Sequence, residues 1–279
     1  MMITEDLLNE MLRWTPAFLL LAARALAIIE TSPLLSSDAV PQMAKIALAA
    51  LAAFAVLPQA GTYPLLNVDP LALNPQGLYF FVLLAGEALI GVITGLFVTI
   101  IFSAFSTAGQ FFSLQMGFGA SETFDPLSQI ENPLMGQYLN LVAMLVFLVS
   151  GGFTELFLGG FWRSVQSISV ASLAAGREHV LGMLLAGLSR LFLDAIIISM
   201  PILGTLFLTS LTTGLISKAA PQINILSEGF PISITVAFLL IFASLPYMTE
   251  AFSRVINSGF SSFRDLLIRA GGQVAGGRP

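Results

Sequence analysis

From Leu78 to Phe105 the chain runs for 28 residues with Glu87 as its one charged side chain. Written as a single helix, that run reaches about 42 Å, against a hydrocarbon core of ~30 Å. Nothing about it suits the interior of a soluble domain, so the chain must satisfy its backbone polar groups without water. Only helices and closed β-barrels do that in lipid. Five more apolar stretches follow the same rule, at about 14–32, 43–58, 134–162, 181–216 and 230–252. None alternates polar and apolar residues as a barrel strand does, so all six read as helices. The expected fold is all-α, a polytopic integral membrane protein of about six long hydrophobic helices arranged as hairpins.

Composition supports this reading and removes several others. The chain of 279 residues is 56% hydrophobic and 10% charged, where soluble proteins carry roughly 25% charged residues. It has no cysteine and a single histidine, His179, which excludes a disulfide framework and thiolate metal sites, so no cofactor is expected. The start, MMITEDLLNE, places Glu5, Asp6 and Glu10 ahead of Arg13, the reverse of a basic signal-peptide region, so the first apolar stretch is read as retained. Net charge is −5 with only scattered Lys and Arg, which argues against nucleic acid as a partner.

The six stretches are unequal. Residues 43–58 offer about 15 helical residues before Pro58, short of the ~20 that span a bilayer, and 181–216 is interrupted by Pro201. Such lengths suit either a body that partly leaves the membrane plane or ordinary tilt and kinking. Pro33, Pro41, Pro58, Pro64, Pro70 and Pro75 punctuate the first 80 residues, and GTYPLLNVDPLALNP reads as an external loop. No internal repeat is visible. Residues 1–279 read as one membrane-embedded domain with 270–279 a disordered tail. In a six-span arrangement Arg13, Arg163, Arg177, Arg254, Arg264, Arg269 and Arg278 fall on one side and Lys45 and Lys218 on the other, which puts the C-terminus in the cytoplasm.

Chemistry-bearing groups are few. Arg24, Glu87, Arg190 and Asp194 lie within apolar helices, where an ionisable group is costly unless paired or wet. Arg190 and Asp194 are four apart and suit a structural ion pair within the bundle or a proton relay. Glu87 has no partner at helical spacing, which leaves Arg24 or a neighbouring subunit as its counter-charge and coupling to a proton gradient as the rival role. Gly91 and Gly95 form a GxxxG, with Gly86 nearby, and let another helix approach closely, either within the chain or between subunits. HExxH, GxSxG and a phosphate-binding loop are all missing, so the chain does not read as an enzyme. A small-ion or solute transporter, or a purely structural scaffold, stays open at this point.

One further stretch is unusual. GQFFSLQMGFGASETFDP, residues 109–126, is rich in Phe, Gly, Met and Gln, and acidic residues follow at Glu122, Asp125 and Glu131. Its residues alone leave two readings open: a continuation of the third helix, or a compliant loop after it. In the loop reading Gly109, Gly117 and Gly119 bend the backbone while Phe111, Phe112, Leu114, Met116 and Phe118 supply deformable apolar groups.

Three segments together carry a resemblance to a known family: PLLSSDAVPQMAKIALAALAAFAVLP (33–58), AGQFFSLQMGFGASETFDP (108–126) and KAAPQINILSEGFPISITV (218–236). They resemble the FliR family of type III export-gate subunits, found in flagellar and virulence systems. The strings suit the flagellar branch better, with the virulence equivalent as the alternative. The resemblance implies a single copy assembled with FliP-like and FliQ-like membrane subunits into a ring in the bacterial inner membrane, at the flagellar basal body. It also implies an FlhB-like subunit on the cytoplasmic side and unfolded flagellar proteins as transient substrates. In the family, the segment matching Gln110, Phe111, Phe112, Leu114, Gln115, Met116, Gly117, Phe118 and Gly119 projects into the pore and helps to plug it.

Overall fold

The computed structural model describes residues 2–37, 40–58, 77–117, 134–220 and 225–275. Helices dominate the described residues, and none of these residues lies in a strand. We number the helices α1 (Met2–Thr31), α2 (Gln42–Val56), α3 (Leu78–Met116), α4 (Leu134–Val149), α5 (Gly152–Ser167), α6 (Val170–Ala175), α7 (Arg177–Ala219) and α8 (Ile225–Ala275). The proposed external loop at 61–75 lies outside the described residues.

Among the described residues four helices, fewer than the six expected, are long and apolar enough to cross a membrane: Trp14–Thr31, Leu78–Met116, Val180–Ala219 and Gly229–Asp265. A fifth crossing is possible only if α4 and α5 act as one broken span. Two physical causes reduce the count. At 15 residues α2 is ~22 Å long, well under the core thickness. The apolar run at 134–162 does not continue straight, because α4 and α5 meet at an angle of 82°. Gly151 sits at that break with φ +80°, a left-handed conformation that glycine adopts without strain. Beyond it, Glu155–Trp162 winds as a π-helix inside α5.

The chain divides into two compact units. One comprises residues 1–99, 151–185 and 258–279, the other residues 100–150 and 186–257. Each draws on distant parts of the sequence because α3, α7 and α8 contribute one end to each. The last helix, α8, continues to Ala275, and residues 276–279 lie outside the described residues.

In the first unit α1 buries Ala17, Leu20, Leu21, Ala25, Ile28 and Ile29, a three-and-four spacing that forms one face. The buried face of α2 is Lys45, Ala49, Ala53 and Val56. Lys45 reaches across the turn between them, with Nζ donating to Glu30 Oε2 at 3.3 Å and to the Ser36 carbonyl at 3.2 Å. In the second unit the core is aromatic. Phe102 meets Phe147 edge-on at 5.3 Å, and Phe105 meets Phe252 at 4.5 Å.

Candidate functional site

The strongest concentration of buried charge is in the first unit. Arg24 is 0% exposed and Glu87 2%, and Arg24 Nε donates to Glu87 Oε2 at 2.6 Å. The rest of the guanidinium is also engaged: Nη2 donates to the Ile168 carbonyl at 3.0 Å and Nη1 to Ser164 Oγ at 3.4 Å. Ser164 Oγ in turn donates to the Phe161 carbonyl at 2.7 Å. Ile168 is extended (φ −120°, ψ 121°) and ends α5, so its carbonyl has left the helical ladder. One planar cation thus ties α1 to α3 and to the C-terminal end of α5. Ser169 starts α6 with a capping box, its Oγ accepting from Ser172 N at 3.2 Å.

The packing glycines serve the same contact. A Cβ at Gly91 would strike the Arg24 carbonyl and the Ala27 side chain, and one at Gly95 would strike Thr31 and the Ile28 carbonyl. Thr99 Oγ1 then donates to the Thr31 carbonyl at 2.6 Å. The GxxxG therefore brings α3 against α1 within the chain, and Gly86 is filled by Val170. Neither is available for another subunit's helix.

The second expected pair has a different setting. Arg190 Nε and Asp194 Oδ2 are 3.8 Å apart on α7, but Arg190 is 49% exposed and Asp194 20%. Within this chain the pair lies toward an outer face of the second unit. The four-residue spacing predicts the contact but not the face.

In the Phe/Gly/Met-rich stretch, residues 109–116 form the last two turns of α3 and not a loop. Gly109 suggests a bend, but its role is close approach: a Cβ there would meet the Gly136 backbone and the Met135 carbonyl of α4. The helix ends at Gly117, which has φ +89° and donates its N–H to the Leu114 carbonyl at 3.1 Å. Phe230 packs where a side chain on Gly117 would be. Phe112 and Met116 are fully buried in the aromatic core, while Gln110, Leu114 and Gln115 point outward and Phe111 lies between. Gln115 Nε2 donates to Ser210 Oγ on α7 at 3.4 Å. Phe118, Gly119, Glu122, Asp125 and Glu131 lie outside the described residues.

Ser164, the Ile168 carbonyl and the Lys45–Glu30 contact were missed from sequence. A lone lysine in AKIALAALAAFAV was the available signal for the last. Among the described residues no group of three His, Cys, Asp or Glu is placed to hold a metal ion.

Residues 15–259 match the bacterial export proteins, family 1. The chain belongs to this family. The match takes in Arg24, Glu87, the end of α3 and the Arg190–Asp194 pair alike. Relatives carry the name flagellar biosynthetic protein FliR. The protein of Bacillus subtilis (strain 168) is 29% identical over 266 residues, covering 95% of this chain and 99% of its own length. That of Escherichia coli (strain K12) is 27% identical over 261 residues, covering 93% and 95%. That of Borreliella burgdorferi is 35% identical over 191 residues, covering 68% and 71%. The chain is thus a multi-pass member of an export family, similar from end to end to flagellar FliR proteins.

Proposed function

We propose that this protein is a subunit of the flagellar type III protein export gate of the bacterial inner membrane, required for flagellum assembly and acting without catalytic residues. The observation that carries the reading is the full-length similarity to FliR proteins, reaching 99% of the length of the Bacillus subtilis relative. In this reading the chain joins FliP-like and FliQ-like subunits in a ring, with an FlhB-like subunit on the cytoplasmic side, and unfolded flagellar proteins pass through. The C-terminus is cytoplasmic, in keeping with Arg254, Arg264, Arg269 and Arg278 near that end.

The end of α3 is assigned the gate. Phe112 and Met116 anchor it in the core, so the surface offered to a passing chain is Gln110, Phe111, Leu114 and Gln115. That surface is deformable and uncharged, which suits a seal that must yield to any side chain. The Arg24–Glu87 pair is assigned a structural role, since guanidinium and carboxylate satisfy one another beside a helix end that needs a donor. The test of the assembly is purification of the tagged chain from native membranes in mild detergent. Recovery of two smaller multicopy membrane subunits supports the reading, and recovery of the chain alone, fully folded, contradicts it.

A further inference from the structure

In the first unit, α5 departs from α-helical hydrogen bonding: Glu155–Trp162 winds as a π-helix for 8 residues. Most π segments are single-turn bulges, and they are frequent at functional sites. A π turn holds more residues than the 3.6 of an α turn, so this stretch stores about one residue of slack. Wound as an α-helix it would give that slack up. Everything on one side of it would then turn by about 100° and move about 1.5 Å along the axis.

The two ends of the π segment are held unequally. Downstream, Arg24 donates to Ser164 Oγ and to the Ile168 carbonyl, both residues are buried, and the capping box at Ser169 fixes the next turn. Upstream, Arg264 Nη2 of α8 lies 3.4 Å from each carboxylate oxygen of Glu155, in a pair whose side chains are 43% and 44% exposed. Ion pairs so exposed contribute little. The Glu155 carboxylate also lies where a Cβ on Gly159 would be, so the pair is folded against the π turn itself. Gly159 and Gly160 weaken the helix there. At the upstream break, a Cβ on Gly151 would meet nothing within 4 Å among the described residues, which leaves the turn room to change.

The end that can move is therefore the upstream one. With residues 163–168 fixed, α winding carries Leu156 into the place of Glu155 and Phe157 into the place of Leu156. Leu156 is 1% exposed, and its replacement by another apolar side chain preserves the burial. A carboxylate about 5–6 Å from the helix axis travels about 8 Å in a 100° turn, so Glu155 parts from Arg264. We infer that α5 is a two-state element, in which the upstream half exchanges between a π and an α register and Glu155–Arg264 is the latch that holds the π register. The inference goes beyond the export reading and does not depend on it.

The chain has no cysteine, so a single introduced thiol reports on its own position. The test is the rate at which methyl methanethiosulfonate modifies Leu156→Cys and, as a control at the fixed end, Val165→Cys, which is also 1% exposed. The full chain is used as purified from native membranes in mild detergent, with any subunits that accompany it. Exchange of register brings position 156 beside Arg264, so Leu156→Cys should react about tenfold or more faster than Val165→Cys. Adding Arg264→Ala should raise the rate at 156 a further two- to fivefold, about the factor an exposed ion pair is worth, and leave 165 unchanged. Equal slow rates at the two positions, or a rate at 156 that ignores Arg264→Ala, overturn the inference. Deletion of Gly159 adds an independent measure. It removes the slack, so an α-helix joins both ends in their present places and Gly160 takes the place beside Glu155. Leu156→Cys should then react as slowly as Val165→Cys, with or without Arg264. Fraying of the start of α5 would persist in the deletion, so fast reaction there also overturns the inference; should the deletion lower the level of the chain, the Arg264→Ala comparison decides.

Discussion

Replacing Arg24 by leucine removes three bonds at one stroke and strands a carboxylate. Glu87, 2% exposed, loses its counter-charge 2.6 Å away, and the carbonyl of Ile168 loses the donor that compensates for the end of α5. Leaving one member of a buried ion pair behind costs about 3–5 kcal/mol. Leaving a buried acceptor unsatisfied costs about 1–3 kcal/mol. These terms overlap, so Arg24→Leu should lose about 3–5 kcal/mol, and Glu87→Leu alone a similar amount because the guanidinium is then the unpaired charge. The double replacement removes both charges and leaves mainly the Ile168 carbonyl, so its loss should be about 1–3 kcal/mol. The assay is reversible unfolding of the purified protein in mixed micelles as the fraction of denaturing detergent is raised, applied to wild type, both single variants and the double. Additive losses, with the double the least stable of the three, would refute the pairing argument. Wild-type stability in Arg24→Leu with motility lost would instead point to proton traffic through Glu87.

Three further predictions concern the faces of α3. Phe112→Ala and Met116→Ala each remove a fully buried side chain and should cost about 2–5 kcal/mol, whereas Leu114→Ala, 68% exposed, should stay within about 0.5 kcal/mol in the same unfolding assay. If the outward face seals the gate, Leu114→Ala combined with Gln115→Ala should raise ion leakage, read as ion-induced growth arrest, in complexes that still co-purify. Leakage at the wild-type level in such complexes would count against the gate surface. Gly91→Leu should prevent the chain from accumulating in the membrane, since its side chain would collide with the Arg24 backbone and Ala27. A stable, motile Gly91→Leu strain would mean that α1 and α3 do not meet there.

The all-helical membrane fold was legible because apolar run length depends on little besides backbone satisfaction in lipid. The short α2 could also be read, as Pro58 closes a run of about 15 residues. The break in 134–162 was harder. The Gly151–Gly152 pair marks it, but uninterrupted apolar composition on both sides hides an 82° turn. Arg24 was identifiable as the partner of Glu87 because few other charges lay at membrane depth. Its contacts to Ser164 and Ile168, 140 and 144 residues away, depend on tertiary folding that no local pattern records. Arg190 and Asp194 show the limit from the other side. Their spacing gives the pair, but α7 is apolar all round, so periodicity could not tell the core face from the outer one. In the stretch from Gly109 to Gly117, glycine carries two meanings. At Gly117 it ends a helix through a positive φ, and at Gly109 it admits a neighbouring helix, and only the contacts distinguish them.

The central claim, that this chain is needed for flagellar protein export, is tested most directly by measuring hook and filament protein in the culture medium of a strain lacking it. The account predicts that both disappear from the medium while proteins of the general secretion pathway are exported at the wild-type level, and that a plasmid-borne copy of the chain restores them. A deletion strain that exports hook and filament protein normally and builds full-length filaments would contradict it.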